Sequence, residues 1–300
     1  MDQAEQLRNI IKMNAQTQQR PTARVITVTS GKGGVGKSNV SINLAVQLRR
    51  LGQRVIIFDA DFGLANIEVM FGAIPKHNLG DLVYQGKNIR EIITAGPMDI
   101  GFISGGSGIA GLTNLGRDYI NYLIQNLAEL DMLADVIIID TGAGISDAVI
   151  EFLVASGEVL LVTTPEPTSI TDSYSLLKAL NRHVRFNKDM TQIKVIANKV
   201  RTPEEGQQLY NKLNAVVSRY LKIPISYLGY VPDDPQLVKA VMQQTPISID
   251  NPNARSSRAF EMLAHILTNS AMDSNFRKHG MTGFFANMVR GIKNREWQQQ

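Results

Sequence analysis

"SGKGGVGKSN", residues 30–39, follows the apolar run "RVITVTS" at 24–30 and opens a stretch of helical periodicity over 37–51. Gly31 to Ser38 fits G-x-x-x-x-G-K-[ST], and a strand before it with a helix after it is the setting that motif requires. Glycines are needed because backbone N–H groups turn inward onto phosphate oxygens, where a Cβ would obstruct them. Lys37 is placed for the β- and γ-phosphates, and the Ser38 hydroxyl suits Mg²⁺. The expected nucleotide-binding set is Gly31, Lys32, Gly33, Gly34, Val35, Gly36, Lys37, Ser38 and Asn39, with ATP and Mg²⁺ as ligands.

Outward from the loop, further apolar, β-branched runs recur: "RVIIFDA" (54–60), "DIGFIS" (99–104), "DVIIID" (135–140), "EVLLVTT" (158–164), "QIKVIAN" (192–198) and "ISYLGYV" (225–231). They alternate with helical patterns over 117–130, 146–155, 169–183, 204–221, 234–242 and 254–268. Continuous Val/Ile content predicts strands buried on both faces, hence a doubly wound α/β domain with a mainly parallel sheet and helices on both faces, over residues 22–270.

Acids fall where such a sheet binds ligands. In "FDADFGLAN", Asp59 and Asp61 are two apart and point to the same side of an extended segment, at the carboxyl edge of the sheet. Asp61 is the candidate for positioning the attacking water, and Asp59 for supporting the Mg²⁺ shell or the signature lysine; a solvated strand-end turn is the alternative. "VIIIDTGAG" ends in Asp140, the arrangement in which a carboxylate holds Mg²⁺ through water, and Thr141 with Gly142 begins a loop able to sense a γ-phosphate.

Composition excludes several classes. The 300 residues contain no cysteine, so disulfides, thiolate nucleophiles and Cys-based metal sites are ruled out. His77, His183, His265 and His279 lack ligand spacing. No apolar run reaches the roughly 18 residues of a membrane span, and the start "MDQAEQLRNI" lacks signal-peptide order, so a cytosolic protein is expected. The formal net charge of +4 resides in one place: from Asn275 onward, Arg277, Lys278, Arg290, Lys293 and Arg295 oppose only Glu296. The remainder is formally neutral, which argues against direct nucleic-acid binding by the body.

The motifs "GKGGVGKSN", "DADFGLAN", "IIIDTGAG", "TTPEPTSITDSY", "NKV" and "VPDD" resemble those of the MinD/ParA superfamily of deviant Walker A ATPases. That resemblance implies a dimer with ATP and a monomer without, Lys32 crossing to the partner's nucleotide, and slow hydrolysis. It also implies an adenine site around Asn198 and Lys199 ("VIANKV") and Pro232 and Asp233 ("YVPDD"); by themselves these are equally ordinary turn residues. The continuation "DFGLANIEVMFG" is closer to MinD than to DNA-partitioning ParA. The opening "DQAEQLR" resembles the N-terminus of the FlhG (FleN, YlxH) family of regulators of flagellar number and placement. There the segment stimulates the GTPase FlhF, which carries Asp2, Gln3, Leu7 and Arg8 over as the activating patch. Flagellar switch or C-ring components, or a flagellar transcription regulator, are the further partners implied. MinD-like division-site placement, ParA-like DNA partition and a non-hydrolysing binding module are the competing functions.

Both termini lie outside the ATPase pattern. Residues 1–21 predict a docking helix and linker or a disordered terminus. In 271–300, Met281, Phe284, Phe285, Met288, Val289 and Ile292 share one arc of a helix. The resemblance and the clustered bases predict a helix that targets an anionic membrane surface, peripheral on the inner face of the cell membrane in the ATP state. A terminal helix docked on the body is the other reading.

Overall fold

The run after residue 23 is strand β1 (Arg24–Ser30), and the loop behind it leads straight into helix α1 (Lys37–Arg50). A computed structural model describes residues 22–61, 66–105, 126–269, 280–285, 287 and 288. Asp2, Gln3, Leu7, Arg8, Val289 and Ile292 lie outside the described residues, as does most of the helix expected over 117–130.

The other strands are β2 (Val55–Ala60), β3 (Thr94–Ala95), β4 (Gly101–Ser104), β5 (Val136–Ala143), β6 (Glu158–Thr163), β7 (Gln192–Val200) and β8 (Ile225–Pro232). They form one sheet in the order β3-β4-β2-β5-β1-β6-β7-β8, parallel throughout except for β3 against β4. The chain departs from β1 toward β2 on one side and reaches β6 on the other. The loop after β1 therefore lies at the topological switch point, where open α/β sheets bind ligands.

Alternation sorts the strand residues onto two buried faces. Val55, Ile57, Val136 and Ile138 join one core with α1, while Ile56, Phe58, Ile137 and Ile139 join the other. The first face is closed by α1 and the late helix α11 (Arg255–Asn269). Between them along the chain come α2 (Asn66–Phe71), α3 (Leu79–Tyr84), α4 (Ile89–Ile92), α5 (Leu130–Leu133), α6 (Asp147–Ala155), α7 (Pro167–Arg182), α8 (Pro203–Tyr220), α9 (Pro235–Met242) and α10 (Ile247–Asp250).

The second face is closed partly by the C-terminal helical residues. Met281, Phe284, Phe285 and Met288 are all buried there, with Phe284 against Phe152 and Phe285 edge-on to Phe58 at a ring separation of 6.2 Å. These four residues of the apolar arc are thus part of the body's core. Burying four such side chains contributes an upper estimate of roughly 6–12 kcal/mol.

Candidate nucleotide site

Local geometry explains the glycines at the ends of the loop. Gly36 has φ 92°, and a Cβ on it would stand 2.4 Å from Asn198 Nδ2. At Gly31 a Cβ would meet the backbone of Asp172 at 2.3 Å, so α7 packs directly on the loop's start. Gly36 caps α1 without a side-chain hydrogen bond, which leaves N–H groups at the positive end of a 14-residue helix for an anion.

The end of β7 holds the loop's shape. Asn198 Nδ2 donates to Val35 O at 2.7 Å, and Lys199, itself at φ 56°, donates through Nζ to Gly34 O at 2.9 Å. Two residues expected at the adenine site thus brace the phosphate loop from some 160 positions away in sequence. The buried Asn198 Oδ1 has no partner. Pro232 pairs with Val200 at the top of β8, and the Asp233 N–H donates to Val200 O at 2.8 Å. These four residues converge on one corner of the sheet's carboxyl edge.

Asp59 and Asp140 are direct neighbours in the β2–β5 register, which sets two carboxylates side by side in the interior. Lys37 Nζ lies 3.1 Å from Asp140 Oδ1, and the Ser41 hydroxyl donates to the same oxygen at 2.8 Å. Asp140 Oδ2 is buried without a partner. Burial first, and then the charge of Asp140, pushes Asp59 up to about 7, against weaker opposing effects of N–H groups and Lys37. Two carboxylates served by one lysine leave a deficit of positive charge. A divalent cation fits that deficit, with Ser38 half-exposed beside Lys37 as a further oxygen donor. Among the described residues no group of three or more His, Cys, Asp or Glu has metal-binding geometry. The hydroxyl and carboxylate oxygens of Ser38, Asp59 and Asp140 fit Mg²⁺, a hard cation that retains water and is completed by phosphate.

Asp61 sits over the end of β5. Its N–H donates to Asp59 Oδ1 at 3.1 Å, its Oδ2 accepts from Asn66 at 3.3 Å, and its Oδ1 lies near Gly142. The Thr141 hydroxyl donates back to Val28 O at 3.1 Å, tying that strand end to β1. Lys32 points elsewhere: its Nζ is 2.7 Å from Glu166 Oε2 and 3.0 Å from Thr168 Oγ1, at the start of α7. Lys32 in turn holds the Glu166 carboxyl below its ordinary range. Ser41 and Glu166 were not visible as site neighbours in the sequence; only the fold brings them to Asp140 and Lys32.

A glycine-rich loop between β1 and α1, a buried lysine, and paired carboxylates at adjacent strand ends define a nucleotide-binding protein of the P-loop kind. The chain belongs to the family described as the CobQ/CobB/MinD/ParA nucleotide binding domain, whose model matches residues 26–247, and it is an ATPase of the MinD/ParA type. It is 40% identical over 256 residues to the antiactivator FleN of Pseudomonas aeruginosa, covering 85% of this chain and 90% of that one. It is 34% identical to the flagellum site-determining protein YlxH of Helicobacter pylori, covering 89% and 90%. In fold it is similar to the septum site-determining protein MinD complexed with Mg-ADP from Pyrococcus horikoshii, at a TM-score of 0.63 and 23% identity over 83% of this chain and 97% of that one.

Proposed function

We propose that this chain is an ATP-switched regulator of flagellar number or placement. The observation that carries the reading is the position of the C-terminal helix, whose Phe285 packs on Phe58, the residue before Asp59. That contact gives nucleotide-dependent movement at the strand end a short route to the apolar helix. The 40% identity to FleN and 34% to YlxH support the flagellar assignment over division-site placement.

In this reading, Gly31 to Asn39 enclose the phosphates, and Asn198, Lys199, Pro232 and Asp233 flank the adenine. Mg²⁺, held by Ser38 and through water by Asp59 and Asp140, neutralises charge that develops on the phosphates. Lys37 adds positive charge at the β- and γ-phosphates, and Asp61 orients the attacking water. The exposed Lys32–Glu166 pair is weakly held. Lys32 exchanges Glu166 for the nucleotide of a facing copy, so turnover waits for the dimer.

Asp131 holds the output in the stowed position. Its carboxylate accepts from the Met281 N–H at 2.7 Å, the Thr282 N–H at 3.2 Å and the Thr282 hydroxyl at 2.9 Å, which caps the C-terminal helix from a distant element. Release presents Met281, Phe284, Phe285, Met288, Val289 and Ile292 to anionic lipid on the inner face of the cell membrane. Two copies in a dimer bind far more tightly than one. Asp2, Gln3, Leu7 and Arg8 act separately, on the FlhF GTPase.

Flotation with anionic vesicles tests the switch. Wild type is expected to float in ATP and stay behind in ADP, Lys32→Ala to stay behind in both, and Asp131→Ala to float in both. Wild-type flotation that ignores nucleotide would falsify the mechanism. Stimulation of FlhF by residues 1–21 separates the flagellar reading from division-site placement.

A further inference from the structure

The outer edge of β8 has no strand partner, because β8 is the last strand of the sheet among the described residues. Beside it lies a groove of about 500 Å³, running between the start of α8 and one side of α11, with the backbone from Tyr227 to Tyr230 along its floor. It shares Pro232 with the candidate adenine corner and no other residue named there.

Helical spacing decides what α11 presents to this groove. Arg255, Arg258, Met262 and Ile266 follow one another at intervals of three or four and form one ridge, buried Leu263 lines the groove beside it, and Phe260, Ala264 and Leu267 are buried away from it. Met262 is 60% exposed and Ile266 40%, although both are apolar and neighbours on the ridge. Arg201, just beyond β7, adds a third arginine to the lining, and no carboxylate lines the groove. The Tyr227 hydroxyl on its wall is buried and has no hydrogen-bond partner.

An unpaired strand edge, an apolar ridge and three arginines with no acid among them match one kind of occupant. Edge strands are ordinarily blunted by lysine, by proline or by a bulge; β8 has no lysine, and no proline before Pro232 at its end, and its pairing with β7 shifts register between Tyr227 and Gly229. The open edge offers main-chain hydrogen bonds, and the ridge offers a surface for alternate side chains of an extended segment. The chain's own termini are the wrong charge. Residues 1–21 carry Arg8, Lys12 and Arg20 against Asp2 and Glu5, and residues 289–300 carry three bases against Glu296. We propose that this groove takes an extended acidic peptide of a partner protein, which adds as a strand beside β8 and sets its carboxylates against Arg201, Arg255 and Arg258.

Fluorescence anisotropy on the full chain tests this, with a labelled synthetic peptide that alternates valine with glutamate. Binding is expected at low salt, weakened about tenfold by Arg258→Glu and by Met262→Asp, with ATP turnover and circular dichroism unchanged in both variants. Backbone N-methylation of the peptide removes its strand hydrogen bonds and is expected to abolish binding. No binding at millimolar peptide overturns the proposal, as does equal binding of a valine–lysine peptide or of the N-methylated one. Displacement by single-stranded oligothymidylate overturns it too, by assigning the arginines to polyanions in general.

Discussion

At the edge of the sheet where the strands begin, Glu158 is fully buried and takes hydrogen bonds from Arg24 at 2.8 Å and from Lys194 at 2.8 Å. At the edge where they end, Asp59 and Asp140 are equally buried, stand in register, and have one lysine between them. The first arrangement is complete: two cations surround one carboxylate, and Arg24 also donates to Leu267 O at 2.6 Å, fastening α11. The second leaves an oxygen of Asp140 unmet. Burial alone raises a carboxyl, and at Glu158 the two cations outweigh it, whereas at Asp59 a second carboxylate compounds it. One edge spends its buried charge on the fold; the other holds charge in a state that a cation and a nucleotide complete.

Breaking the complete edge is expected to have the largest effect. Glu158→Ala strands Arg24 and Lys194 and should cost about 3–5 kcal/mol in chemical denaturation, with ATP turnover per folded molecule unchanged. The same pair predicts a pH dependence. The folded Glu158 carboxyl lies below its ordinary 4.5, so its contribution is present above that value and lost as pH falls through the folded one. Acid titration of stability should show this slope in wild type and a shallower one in the variant.

Breaking the incomplete edge should stop the chemistry. Lys37→Ala is expected to reduce phosphate release by roughly a hundred- to a thousandfold, because it removes charge stabilisation at the phosphates. Turnover within a factor of ten of wild type would move the catalytic role elsewhere.

The smallest effect sharpens the contrast by its sign. Asp59 holds its proton up to about 7 in the fold, against 3.8 as the ordinary value. Its stability contribution is therefore full below 3.8 and lost as pH rises through about 7. Asp59→Asn should remove that fall and stabilise the nucleotide-free protein by about 1–2 kcal/mol at pH 8, measured calorimetrically, while weakening Mg²⁺ binding. Destabilisation as large as that of Glu158→Ala would show that the two edges do not differ in kind.

The central sheet was legible because its strands are buried on both faces and so carry unbroken apolar runs; β1 and the loop to α1 fall where the sequence places them. β3 was not legible, since two residues, Thr94 and Ala95, cannot display a period. α3 and α4 are too short for periodicity as well. Their signal lies in the reciprocal caps, Asn78 with Asp81 and Asn88 with Glu91, and not in hydrophobic spacing. In the site, the glycines and Lys37 form a local motif, so spacing reveals them. Ser41 on Asp140, Glu166 on Lys32 and Asn198 on Val35 are long-range pairings that only strand order creates. The arginine-lined groove was hidden for the same reason: a formally neutral body conceals Arg201 meeting Arg255 and Arg258 across the fold.

Asp131 also accepts from the Ala23 N–H at 3.3 Å, so the entry of the chain into β1 and the start of its C-terminal helix meet on one carboxylate. The sequence contains no cysteine, so a thiol introduced at Thr22 and another at Gly283 would be the only two labelling sites. A pair of spin labels there spans the junction without touching the phosphate loop. Their separation reads out, in solution and in real time, whether the helix is seated.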